Sequence, residues 1–280
     1  MKRYPLLLMS LLLVLCASAW ASPAYVQSNS NCNFFGTSAT TVTVGGSSAT
    51  TCPTSTGWAS NVTAGNTIAG FVWRKTGSGT LNSVSDGGDT CVAVNTSGTA
   101  GTSNAMLLYG FYCYNVAGGN KPTVTLTFSV SENFWYAVVQ EFSGTATTSP
   151  LDGSAFVGMS TTGGGTNAAT TGNWTTSTNG DYIIGGFIDD GGGMASAADV
   201  SAGSTSQSWT VRFGPDVTHS EAMVTEDGVQ TAASATTVIA FTTTVGSNPL
   251  LGAMAFKPPP IPPNLTQGGH LTVGGKVTAE

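Results

Sequence analysis

Apolar and polar residues alternate with period two along much of this chain. The clearest stretch is Pro122 to Val130, where Val124, Leu126, Phe128 and Val130 alternate with Thr123, Thr125, Thr127 and Ser129. Side chains point to opposite faces of a strand in turn, so this pattern predicts a strand with one dry and one wet face. Asn133 to Phe142 is expected to return antiparallel. Phe134, Tyr136, Val138, Gln140 and Phe142 share one of its faces, and Trp135, Ala137, Val139 and Glu141 share the other. Apolar groups on both faces predict a central strand that is covered on both sides.

Shorter segments of the same kind surround it. Tyr25 to Phe35 and Thr40 to Val44 read as modest opening strands, and Asn66 to Arg74 as a stronger one. Thr90 to Asn95, Met106 to Tyr114, Tyr182 to Asp189 and Leu250 to Phe256 follow. Between the last two, Trp209, Val211 and Phe213 alternate with Thr210 and Arg212. Glycine and threonine, both poor helix formers, interrupt every candidate helix after residue 21. The expected fold class is all-β, an antiparallel β-sandwich with jelly-roll-like character. Ile68-Ala69-Gly70-Phe71 is echoed by Ile184-Gly185-Gly186-Phe187, and Glu141-Phe142 by Ala255-Phe256. The offset of roughly 115 residues suggests two pseudo-repeated halves.

The ends of the chain differ in kind from its middle. Lys2 and Arg3, the apolar run Leu6 to Cys16 and the small-x-small site Ala19-Trp20-Ala21 have the layout of a secretory signal over residues 1–21. The sandwich domain is assigned to residues 22–257. Pro258 to Pro263 cannot continue an inner strand and reads as a semi-rigid linker over residues 258–263. Residues 264–280 form a C-terminal tail with one strand-like piece, Leu271-Thr272-Val273, expected to serve attachment or self-assembly. No second long apolar run follows the signal, so no transmembrane span is expected, and the location is secreted or at the cell surface.

Composition narrows the choice of partner. The 280 residues carry a net charge of -6, only 8% are charged, and lysine and arginine together number 8. Without a basic patch to neutralise phosphates, nucleic acid is not an expected partner. Of five cysteines, Cys16 falls in the signal, leaving Cys32, Cys52, Cys91 and Cys113. An even number in an exported chain points to disulfides. Cys91 with Cys113 is favoured, because their segments read as neighbouring antiparallel strands, and Cys32 with Cys52 follows by elimination.

Candidate chemistry is sparse. His219 and His270 are the only histidines, and no serine sits in a Gly-x-Ser-x-Gly elbow. A glycan hydrolase would need two converging carboxylates, and Glu141 is the residue to test. The plainer reading makes Glu141 a strand-end carboxylate bonded to a loop. Asp86, Asp89, Asp189 and Asp190 lie in glycine-rich segments where carboxylates sometimes hold calcium, although turn chemistry explains them as well. Trp73, Trp135 and Trp209 fall in apolar patterns. Trp58 and Trp174 lie among polar residues and are the candidates for exposed rings that stack on sugars. No other cofactor is expected.

The blocks Gly65-Asn66-Thr67-Ile68, Glu141-Phe142-Ser143-Gly144 and Ser149-Pro150-Leu151-Asp152 resemble a β-sandwich module that recurs in large secreted and surface proteins of environmental bacteria. The resemblance implies architecture and an extracellular setting, with no assigned activity. The expected function is a secreted, non-catalytic binding or surface-structural module, carbohydrate-binding or adhesin-like. A glycan-active hydrolase using carboxylates such as Glu141 is the alternative.

Overall fold

The computed structural model describes residues 22–33, 38–47, 57–75, 78–100, 106–132, 134–158, 167–189, 200–202, 209–214, 223–230, 236–237, 240–243 and 249–260. Among them there is no helix, and therefore none long and apolar enough to cross a membrane. The first half contains β1 (Ala24–Asn33), β2 (Ala39–Gly45), β3 (Thr67–Arg74), β4 (Leu81–Ser85), β5 (Thr90–Ala100), β6 (Leu107–Tyr114), β7 (Thr123–Glu132) and β8 (Trp135–Ser143). The second contains β9 (Leu151–Gly158), β10 (Asn167–Thr170), β11 (Trp174–Thr175), β12 (Tyr182–Asp189), β13 (Val200–Ala202), β14 (Thr210–Phe213), β15 (Met223–Val229), β16 (Thr236–Thr237), β17 (Ala240–Thr243) and β18 (Pro249–Phe256).

Each half builds a five-stranded inner sheet and a three-stranded outer one, all antiparallel. The first half orders them β1-β8-β3-β6-β5 and β2-β7-β4; the second, β9-β18-β12-β15-β14 and β10-β17-β13, with β11 and β16 as a small extra ribbon. The two orders correspond strand for strand. The face turned to the other half carries Ala69, Phe71 and Trp73 in β3 but Tyr182, Ile184 and Ile188 in β12, while Ile68 faces the outer sheet. The Ile-x-Gly-Phe echo is thus one residue out of phase. Phe71 faces the other half, whereas Phe187 faces its own outer sheet. A one-residue slip reverses every side chain of a strand.

The inner sheets pack on one another, so the layers run outer, inner, inner, outer. Between the inner sheets lie Phe71, Trp73, Tyr136 and Phe142 from the first half with Tyr182, Ile184, Met254 and Phe256 from the second. The opposite face of the first inner sheet, with Trp135, Ala137 and Val139, meets Val42, Val124, Leu126 and Phe128 of the outer sheet. β8 is therefore covered on both faces, as its sequence predicts. β7 and β8 do not pair with one another. They lie in facing layers, because the dry face of β7 is satisfied by packing on β8 while its edges bond to β2 and β4.

Candidate functional site

Glu141 is fully buried in β8 and accepts hydrogen bonds from Gln27 Nε2 (2.5 Å), Asn66 Nδ2 (2.5 Å) and the Thr63 backbone N–H (2.9 Å). Gln27 in turn accepts from the Ser60 backbone N–H at 3.0 Å. The carboxylate thus pins the loop before β3 onto β1 and β8. Three donors satisfy it and it has no exposure, the arrangement expected of a strand-end carboxylate bonded to a loop.

Trp58 is 1% exposed, and its indole N–H donates to the Pro122 carbonyl at 2.8 Å. The expectation of an exposed stacking ring fails there. The polar residues around Trp58 in sequence obscured that its one polar atom finds a backbone partner 64 positions away. Trp174 is half-buried and lies over Gly153, where a Cβ would come 3.3 Å from its ring. Trp73 and Trp135 are core residues, and Trp209 packs against the core between the second half's two sheets.

Asp86 and Asp89 hold a turn: Asp86 Oδ1 accepts from the backbone N–H of Gly88 (3.2 Å) and Asp89 (2.9 Å), and Asp89 Oδ1 from that of Ala117 (3.0 Å). Burial, with Asp86 beside it, raises the Asp89 carboxyl above its ordinary value. Asp86 also approaches the sulfurs of Cys91 and Cys113. Those sulfurs are bonded to one another across β5 and β6, as their register predicts, and so are not thiolate ligands. Asp189 is not in a turn. It ends β12, whose bounds are those the sequence predicts, and has no exposure. Nothing brings it to Asp86 and Asp89. Asp190, Cys52, the Cys32 side chain, both histidines, the signal and the tail lie outside the described residues.

An open cleft of about 350 Å³ lies where the edge of β1 meets the second inner sheet. Tyr25, Tyr182, Thr210, Arg212, Asp227 and Val229 line it, with Pro23, Ala24 and Gly228. Its chemistry is built around one oxygen. Asp227 Oδ2 accepts from Arg212 Nε at 2.6 Å and from the Tyr182 hydroxyl at 2.6 Å. The guanidinium also lies 4.3 Å from the centre of the Tyr25 ring, a cation–π contact that ties the two halves together. The hydrogen bond to Asp227 raises the Arg212 pKa, and burial, reinforced by the Asp227 charge, raises that of Tyr182. Both groups keep their protons throughout the ordinary pH range.

Arg212 reaches the cleft because β14 bulges. Val211 pairs with Glu226 and Phe213 with Thr225, leaving Arg212 as the extra residue. Bulges bend an edge strand and re-aim a side chain. The alternation of residues 209–213 predicts Val211 on a half-buried face, yet it is exposed and Phe213 packs between the inner sheets. Val26, another bulge residue, sits next to Tyr25 on β1 and is exposed, as is Val229. Val229 thus brings an exposed apolar side chain to the cleft, and Val26 and Val211 adjoin its lining residues Tyr25 and Arg212 in sequence.

No family model matches the chain, and no curated protein or solved structure is detectably similar to it.

Proposed function

We propose that this chain is a secreted, non-catalytic binding module whose ligand enters the cleft at Arg212 and Asp227. The observation that carries the reading is the makeup of that cleft. Among the described residues that line it there is one carboxylate, already engaged by Arg212 and Tyr182, and hydrolysis of a glycosidic bond ordinarily uses two. What the cleft does have is a rigid polar floor with apolar neighbours, the usual design of a small-ligand site.

The signal at residues 1–21 and the Cys91–Cys113 disulfide support an extracellular setting, in line with the resemblance to surface modules. The matching strand orders support a reading of each half as a jelly roll descended from one duplicated unit. Exported protein should bind on a glycan array through the cleft, with Arg212→Ala abolishing the signal and no sugar released in parallel assays. Product release that Glu141→Gln abolishes would instead establish the hydrolase.

A further inference from the structure

We propose that the group held in this cleft is neutral and hydroxyl-rich, the terminal ring of a glycan presenting two adjacent hydroxyls to Arg212 and Asp227. This rests on the cleft reading above and specifies its ligand. Arg212 spends only Nε on Asp227, and its two terminal nitrogens make no hydrogen bond with a described residue. Asp227 spends only Oδ2, and its Oδ1 is likewise without a hydrogen-bond partner among the described residues. Donors and an acceptor therefore stand side by side and uncommitted: the Arg212 side chain is 29% exposed, whereas Asp227, at 3%, reaches the cleft only by an edge of its carboxylate. Two neighbouring hydroxyls match that arrangement. One oxygen accepts from the guanidinium, and the adjacent O–H donates to the carboxylate.

Charge selects against the obvious competitor. A free anion would gain from Arg212 but would be repelled by Asp227 in direct contact with it, so the pair presents a net charge of zero. A hydroxyl pair uses both halves of the ion pair and needs no counter-charge. The geometry is preorganised, because the Tyr182 hydroxyl fixes Asp227 and the Tyr25 ring supports Arg212, so little ordering remains to be done on binding. Pro23, Ala24 and Val229 give the C–H faces of a ring an apolar wall. The cleft volume is near the lower end of ligand sites, which range from about 300 to 1,000 Å³, so it suits one sugar ring at a chain end and not an internal stretch of polysaccharide.

The test titrates the full exported chain with methyl α-mannopyranoside and methyl β-galactopyranoside, and separately with acetate, glucuronate and sulfate, following saturation-transfer NMR and calorimetry. At least one glycoside should bind, and Asp227→Asn should weaken it by roughly tenfold or more, the scale of a hydrogen bond to a charged group. Thr210→Trp fills the mouth from an exposed position and should abolish binding without lowering the thermal midpoint, which separates loss of the site from loss of the fold. Preference for acetate or sulfate, or tighter binding by Asp227→Asn, overturns the diol inference and leaves the cleft as the binding site. Silence from every probe, or an array signal that survives Thr210→Trp, overturns both.

Discussion

The ring of Phe71 on β3 occupies the space that a side chain on Gly186 of β12 would need: a Cβ there would fall 2.6 Å from Phe71 Cδ2. A Cβ on Gly252 would meet both Phe71 and Phe156 at 2.8 Å, and one on Gly110 would meet Phe156 at 2.6 Å. Three glycines thus form sockets for two phenylalanines, and this is how the inner sheets approach closely. Gly186→Ala would gain about 0.4–1 kcal/mol from a stiffer unfolded chain. Overpacking a fitted core costs about 1–3 kcal/mol, so the net effect is destabilising. Denaturant melts should show it, and Phe71→Leu combined with Gly186→Ala should be less damaging than the sum of the single changes. Additive costs would mean that the ring and the socket do not interact.

Two buried carboxyls make the second half sensitive to alkali. Asp181 is raised from 3.8 to about 7, by burial first and then by its neighbour Asp152. Glu226 is raised from 4.5 to about 9, by burial and then by the charge of Asp227, and neither of its oxygens has a hydrogen-bond partner. A raised folded pKa means that the fold favours the protonated acid. Its stabilising contribution is complete below the unfolded value and disappears as pH climbs through the folded one. Asp152 behaves oppositely. Burial pushes it up, but hydrogen bonds from Ser177 and Thr178 prevail and leave it below its ordinary value, so its contribution is lost in acid. The thermal midpoint should therefore peak near about pH 4 and decline from there toward pH 9. Asp181→Asn should flatten the earlier part of that decline and Glu226→Gln the later part. A profile that stays level from pH 5 to 9 would refute the assignment.

Glu141 is predicted to matter for stability alone. Glu141→Ala strands three donors in a buried site, a loss of about 3 kcal/mol or more, since each bond to a charged group contributes roughly 1.5–3. Glycan binding by the folded fraction should be unchanged. An effect on affinity that exceeds the effect on the melt would place Glu141 in a binding site after all.

Reduction of Cys91–Cys113 opens a loop with a sequence separation of 22 and should cost about 3 kcal/mol on the chain-entropy scale. Melts of Cys91→Ala/Cys113→Ala against the oxidised protein measure it. A difference within error would show that the β5–β6 ladder, and not the covalent link, holds these strands.

What was legible in the sequence follows the range over which each signal acts. Strand alternation is local, so β3, β7, β8 and β12 could be read from consecutive residues, and so could the two-sided burial of β8. The Cys91–Cys113 pair was legible for the same reason: its two strands are neighbours in sequence as well as in space. Trp58 was misread because the Pro122 carbonyl that satisfies its N–H is remote in the chain. The cleft was missed because Tyr25, Tyr182, Arg212 and Asp227 come from both halves and converge only when the sheets dock. One local hint existed. In a chain with only 8 lysines and arginines, Arg212 stands between two apolar residues of a strand.

Among the described residues no strand is shared between the two inner sheets, and residues 144–150 carry the chain from one to the other. Lys257 fastens that passage, donating its backbone N–H to the Pro150 carbonyl and accepting from that of Ala146. The contact inside this chain consequently has the form of a heterodimer joined by a tether. Residues 22–146 and 147–260, produced as separate polypeptides, should each be poorly soluble alone yet reconstitute when mixed. The cleft lies on the seam, so ligand binding would report that reassembly directly.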